Sequence, residues 1–311
     1  MLLGGDLGGT KTLLALAEFV DGRLRIVREQ RFASRDYQSF DALLGQFLAD
    51  APTIDAACFG VAGPTDGREA QLTYLPWRLT ADALSARFHI GYVSLINDFA
   101  AAANGLPLVD TEQFVLLQVG QPVKGAPRLI LGAGTGLGVA GLVWEKGGYR
   151  VIPGEGGHIG FSPQTLEQGK LWQWLLAEHG RVTSEDIVSG PGLARIYAFL
   201  GGQPQQPEAI GQAALAGSDP LAKQTLELWL AAFGGFAGDL ALNWLARGGV
   251  YLAGGIAAKL MPQTDISPFL FAFNAKREHR QLAEAMPINL VSDERLGLLG
   301  ALALARQTQA G

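Results

Sequence analysis

The chain has 311 residues, 48% of them hydrophobic, with a formal charge of −5 and one cysteine, Cys58. That length points to roughly two domains with sizeable cores. The acidic balance argues against nucleic acid as the main partner, since nucleic acid selects a basic face, and a lone cysteine excludes a disulfide framework or a thiolate zinc site within the chain. Asp6 interrupts the first apolar stretch, so no signal peptide is expected. No apolar run of about 20 residues lacks polar or glycine breaks, so no membrane partner is expected, and the setting is expected to be cytoplasmic.

Residues 2–17, LLGGDLGGTKTLLALA, read as strand, glycine turn, strand. A carboxylate ending a buried strand is costly without a partner. Glycines beside it let backbone N–H groups approach an anion. Together they suggest a phosphate cradle, with Asp6 facing the metal that phosphates carry. Residues 22–32 alternate apolar and charged, a half-wet strand. Residues 39–48 carry apolar side chains at helical spacing behind Ser39 as N-cap, and 54–61 is a buried strand, so the two strands should be parallel with a crossover. GVAGP at 60–64 follows the strand's C-terminal end, where open α/β sheets place ligands. A strand over 71–77, a helix over 81–88 and a strand over 93–96 come next. The last delivers Asn97-Asp98 to the start of an alanine helix.

Composition shifts at 107–112. Residues 129–143, LILGAGTGLGVAGLV, then repeat the opening pattern, with Thr135 echoing Thr10. Two such hairpins suggest a duplicated architecture with a nucleotide held between the halves. A dinucleotide fingerprint would need a helix after the glycines; the apolar run VAGLVW predicts a strand. Further on, Thr183 to Asp186 fits an N-cap box, Ser189-Gly190-Pro191 opens a helix, and 226–245 is a long apolar core helix. Residues 249–253 form a strand that turns at Gly254-Gly255 directly into a helix, a junction that admits a nucleotide. A strand over 288–291 and a terminal helix over 298–306, packed on the first domain, complete the chain.

Asp98 reads either as part of a helix-capping pair or as a general base for a hydroxyl. Glu155 and His158, three apart among glycines, read as ligand contacts, as a structural histidine, or as half of a metal site short of ligands. Glu185 alone reads as an acid at a helix N-terminus. Lys11 could meet a phosphate or water.

Taken together, GGDLGGT (4–10), GVAGP (60–64), INDF (96–99), GAGTGLGVA (132–140), PGEGGHIGF (153–161), SEDIVSGPGL (184–193), LAGGIA (252–257) and LGLLGA (296–301) resemble the bacterial glucokinase family, the ATP-dependent hexokinase relatives. The resemblance implies a two-domain α/β fold of the actin-like, ribonuclease H-like ATPase kind: duplicated mixed sheets flanked by helices, with a cleft between domains 1–107 plus 298–311 and 108–297. It implies transfer of the γ-phosphoryl of MgATP to the 6-hydroxyl of D-glucose, giving ADP and glucose 6-phosphate for glycolysis. Gly5, Asp6, Leu7, Gly8, Gly9 and Thr10 would form one phosphate grip, Gly132, Gly134, Thr135 and Gly136 a second, and Gly254-Gly255 the adenosine-side turn. Asn97, Asp98, Glu155, His158 and Glu185 would contact glucose, with Asp98 taking its proton. Mg2+ would arrive with ATP, meeting no protein ligand directly and Asp6 through water. A homodimer is expected. Two positions depart from the family pattern: Lys11 stands where many relatives carry Asn, and Tyr74 where they often carry Asn.

Overall fold

The computed structural model describes residues 1–21, 23–73 and 75–309. Tyr74, and Gly22 at the head of the third strand, lie outside the described residues. The chain divides into two compact units, Met1–Thr111 with Asp293–Gly311, and Glu112–Ser292.

The first unit holds β1 (Leu2–Leu7), β2 (Lys11–Val20), β3 (Arg23–Ala33), α1 (Phe40–Phe47), β4 (Ala56–Val61), β5 (Glu69–Gln71), β6 (Arg78–Thr80), α2 (Ala81–Phe88), β7 (Tyr92–Asn97) and α3 (Asp98–Gly105). Its main sheet runs β3-β2-β1-β4-β7, antiparallel up to β1 and parallel beyond it. β1 is apolar apart from Asp6 near its end because it is central, and period-2 alternation sorts its side chains. Leu3 and Leu7 face a core with Phe40, Leu43 and Phe59; Leu2 faces a second core with Leu298, Ala301 and Leu302. The stretch expected as a strand over 71–77 is instead the connection between β5 and β6, a small antiparallel pair. There Leu72 N–H donates to Trp77 O, and both side chains are buried.

The second unit holds β8 (Phe114–Gln118), β9 (Arg128–Ala133), β10 (Leu137–Glu145), β11 (Gly148–Gly154), α4 (Leu166–His179), α5 (Gly190–Phe199), α6 (Pro207–Ala216), α7 (Pro220–Trp244), β12 (Gly249–Ala253), α8 (Gly255–Leu260), α9 (Ser267–Asn274), α10 (Arg280–Glu284) and β13 (Ile288–Val291). The sheet order is β11-β10-β9-β12-β13-β8. Its first five strands repeat the first unit's order and directions, and β8 adds an antiparallel edge. The duplication suggested by two hairpins therefore extends through both sheets. β10 directly follows the second glycine turn, as the strand reading required. α7 has the length and hydropathy to cross a bilayer, but 72% of that window is buried, and Trp229 and Phe233 are its largest fully buried side chains.

The chain then returns to the first unit as α11 (Leu296–Gln309). Leu298 and Leu302 are fully buried against β1 and β4, worth about 1.5–3 kcal/mol each. Glycines make this fit possible. A Cβ on Gly4 would lie 2.6 Å from Leu302 Cγ, and one on Gly300 would overlap the Ala101 carbonyl of α3.

Candidate active site

In the first unit, β1 ends at Asp6 and Leu7, and residues 8–11 lead into β2. Gly8 N–H donates to Lys11 O at 3.0 Å. Ser34 Oγ donates to Gly8 O at 2.8 Å; Thr12 Oγ1 lies 3.0 Å from Ser34 Oγ and so supplies its own proton there. Ser34 is a buried hydroxyl that sequence reading overlooked, because nothing in the motif points to a residue so far along the chain. Among the described residues, the Gly9 and Thr10 N–H groups have no protein acceptor. Both are therefore available to donate to an anion.

Asp6 lies on the α11 face of β1. A Cβ on Gly297, in the first turn of α11, would come within 2.9 Å of its carboxyl. Burial pushes the Asp6 carboxyl up to about 6, with Lys11 pulling it back. Lys11 itself is engaged: its Nζ lies 3.3 Å from Glu294, which also takes Arg31 at 2.7 Å. Those two cations hold the Glu294 carboxyl below its ordinary range, the Arg31 hydrogen bond first.

β4 and β7 carry the next elements. Asn97 is the N-cap of α3, its Oδ1 accepting from Phe99 and Ala100 N–H at 3.0 and 3.1 Å. That leaves its amide NH2 as the group it can offer a ligand. Asp98, the first helical residue, is half-buried, and its Oδ1 accepts from Phe99 N–H at 2.8 Å. Capping thus falls mainly to Asn97, the residue one position earlier. Gly60 on β4 seats the helix: a Cβ there would lie 2.9 Å from Ala101 Cβ and 3.5 Å from Asp98 Cα.

In the second unit, the turn at residues 134–136 joins β9 to β10. Gly134 N–H donates to Gly136 O at 2.9 Å, and the Thr135 and Gly136 N–H groups have no acceptor among the described residues. Segment 184–190 straps this turn. Gly190 N–H, at the start of α5, donates to Gly134 O at 2.8 Å, and Leu137 N–H donates to Glu185 Oε2 at 2.8 Å. Gly254 caps α8 at φ +91°, where a Cβ would overlap the Ala133 carbonyl, while Gly255 faces open space. The turn, the start of α5 and the start of α8 therefore converge on one patch rich in backbone N–H groups.

The loop carrying Glu155 and His158 follows β11. Gly156 packs on Val139, and Gly157 so closely on the Leu137 carbonyl that no Cβ fits. His158 Nε2 lies 3.9 Å from Glu155 Oε2, with side chains 60% and 79% exposed. Glu185 N–H donates to Gly157 O at 2.9 Å, so the structure brings Glu155, His158 and Glu185 together. Among the described residues no group of three His, Cys, Asp or Glu could hold a metal ion.

Several expectations change at the level of atoms. Gly5 and Leu7 lie under the first glycine turn: both are buried, and a Cβ on Gly5 would meet Phe59, Leu14 and Leu7. Gly132 is likewise buried inside β9, paired with Gly138 and Ala253. These glycines serve packing beneath the turns. The two turns differ in length, residues 8–11 between the pair Leu7–Thr12 and 134–136 between Ala133–Leu137, and in both the threonine stands two residues before the second strand's member of that pair. Glu185 sits in a turn before α5, not at a helix N-terminus. The Thr183–Asp186 box forms with reciprocal bonds but closes that turn, and Ser189 caps the helix at Gly192 N–H.

A family profile described as Glucokinase matches residues 3–308. A glucokinase of Trichormus variabilis is 38% identical, over 97% of this chain and 97% of its own. The crystal structure of a glucokinase from an Antarctic psychrotroph superposes with TM-score 0.87 at 31% identity, over 98% of both chains. A glucokinase of the ROK family from Streptomyces griseus, solved with glucose and AMPPNP, shares the fold at TM-score 0.63 and 20% identity, over 98% of this chain and 99% of its own.

Proposed function

The chain belongs to the glucokinase family, and we propose that Asp98 is the base with which it moves the γ-phosphoryl of ATP to the 6-hydroxyl of glucose. The reaction is ATP-dependent phosphorylation of glucose, as in the family. One observation carries the assignment to Asp98: a half-buried carboxylate at the junction of β7 and α3, seated by a glycine and flanked by an asparagine whose carbonyl is committed to the backbone. Asp98 accepts the 6-hydroxyl proton as that oxygen attacks phosphorus. The Asn97 amide donates to a sugar oxygen, and Glu155, His158 and Glu185 bond other hydroxyls. Where the bound sugar covers such groups and takes them out of water, a sugar lacking the matched hydroxyl is rejected by up to about 10⁴–10⁵.

The N–H groups of Gly9, Thr10, Thr135 and Gly136 take phosphate oxygens, and catalysis beyond the proton transfer is positioning and charge stabilisation. Mg2+ belongs to the MgATP substrate. The Asp6 carboxylate can meet it through water, consistent with an ion that keeps most of its waters. Gly255 leaves room for the adenosine side, and Gly254 lets the start of α8 pack against Ala133 beside it.

A two-way screen of phosphoryl donor against sugar, read by ADP release, tests the reading. Glucose with ATP is expected to give the highest kcat/KM. Glucose binding without nucleotide consumption would point to a sensor, and preference for another hexose would change the substrate but not the machinery. Gly60→Val is expected to displace the start of α3 and lower kcat by about 10²-fold, since an error of about 1 Å at a reacting group has that effect. Circular dichroism checks that the variant stays folded. A homodimer belongs to the same proposal, on the family resemblance; sedimentation should show twice the 32.9 kDa of one chain.

A further inference from the structure

Glu185 does two things that a residue serving only the sugar would not do. Its carboxylate accepts Leu137 N–H at 2.8 Å through Oε2, at the point where the glycine turn re-enters β10. Its own N–H donates to Gly157 O at 2.9 Å, inside the loop that carries Glu155 and His158. The neighbouring residues repeat the pattern. Ser184 N–H donates to Ile159 O at 2.9 Å on the loop side, and Gly190 N–H to Gly134 O at 2.8 Å on the turn side. Segment 184–190 thus lies between the two, bonded to both. The fit is close: a Cβ on Gly136 would sit 2.7 Å from Glu185 Oε2.

We propose that Glu185 is a positioning residue for the nucleotide's glycine turn as well as a sugar contact, and that it couples the two ligands. This rests on the function proposed above. Oε2 holds Leu137 N–H and so fixes how the Thr135 and Gly136 N–H groups are aimed. Oε1, which has no hydrogen-bond partner among the described residues, is the oxygen available to a sugar hydroxyl. A sugar that draws on the carboxylate orders the side chain, and the turn with it. By thermodynamic reciprocity, nucleotide on the turn must then raise sugar affinity by the same factor.

The experiment measures AMPPNP and glucose binding, each alone and each with the other saturating, in the parent chain, in Glu185→Ala and in Glu185→Gln. Glutamine keeps a carbonyl oxygen for Leu137 N–H; alanine keeps nothing. Glu185→Ala is expected to weaken AMPPNP binding without any sugar by about 10-fold, the scale of one charge-assisted hydrogen bond, and to abolish the coupling. Glu185→Gln is expected to restore AMPPNP binding alone to within about 2-fold of the parent, while glucose binding stays weakened. Glu185→Ala binding AMPPNP alone as tightly as the parent would overturn the proposal, as would AMPPNP binding equally weak in the alanine and glutamine variants. Failure of the kinase reading looks different, because the parent chain would then bind no glucose or release no ADP.

Discussion

Asp98→Asn is expected to lower kcat on glucose by about 10²–10⁴-fold while glucose binding stays close to that of the parent. The amide has the carboxylate's shape, and its oxygen can still accept Phe99 N–H, as Asp98 Oδ1 does at 2.8 Å. The end of α3 should therefore stay as it is. What the amide lacks is basicity: it cannot take the proton that the 6-hydroxyl must lose on attacking phosphorus. ADP release measured beside calorimetric glucose binding separates the two effects. Turnover near that of the parent would remove Asp98 from the role of base and leave it a helix-end acid.

Asp6→Asn is expected to make the protein more stable and the enzyme worse. In the folded chain burial raises the Asp6 carboxyl from its ordinary 3.8 to about 6. A carboxyl raised in this way contributes stability that is full below about pH 3.8 and is lost as pH climbs through about 6. At pH 8 the ionised group costs on the order of 3 kcal/mol. Asparagine removes that cost, so urea unfolding at pH 8 should show a gain of up to about 3 kcal/mol that disappears near pH 4. The same change removes the carboxylate beside the first turn, and kcat/KM for MgATP is expected to fall by about 10²-fold. In the parent, activity should decline as pH drops through about 6, and added Mg2+ should move that decline to lower pH because the cation favours the ionised form. A stability difference of equal size at pH 4 and pH 8 would show that the carboxylate is not strained by its burial.

Both hairpins were legible because their signals are local: an apolar run, a break of glycines, another apolar run. So were Asn97 and Asp98, delivered by one short strand to one helix. What stayed hidden was of two kinds. Glycine has two uses, opening a turn and letting elements pack closely, and residue identity alone does not separate them; hence Gly5 and Gly132 read as ligand contacts although they lie beneath the turns, and Leu7 reads with Gly5 as part of the same run. The other kind is contact across long stretches of chain. Nothing local joins Glu185 to Leu137, or Ser34 to Gly8, and the strand expected over 71–77 was lost because Pro76 and the buried pair Leu72 and Trp77 favour a reversal. β8, FVLLQ, is not announced by the sequence, because it directly follows the composition break at 107–112 and, as an edge strand, leaves Val115 and Leu116 exposed.

The closing role of α11 bears on how the polypeptide matures during translation. β1 and β4 leave the ribosome early, yet the apolar face they share stays bare until Leu298 and Leu302 have been made. The second unit, Glu112–Ser292, is contiguous in sequence and can finish folding while its predecessor still waits. The usual order, in which N-terminal domains mature first, is therefore reversed. Ribosomes stalled before residue 296 should display a protease-resistant second unit joined to a first unit that is still open to cleavage.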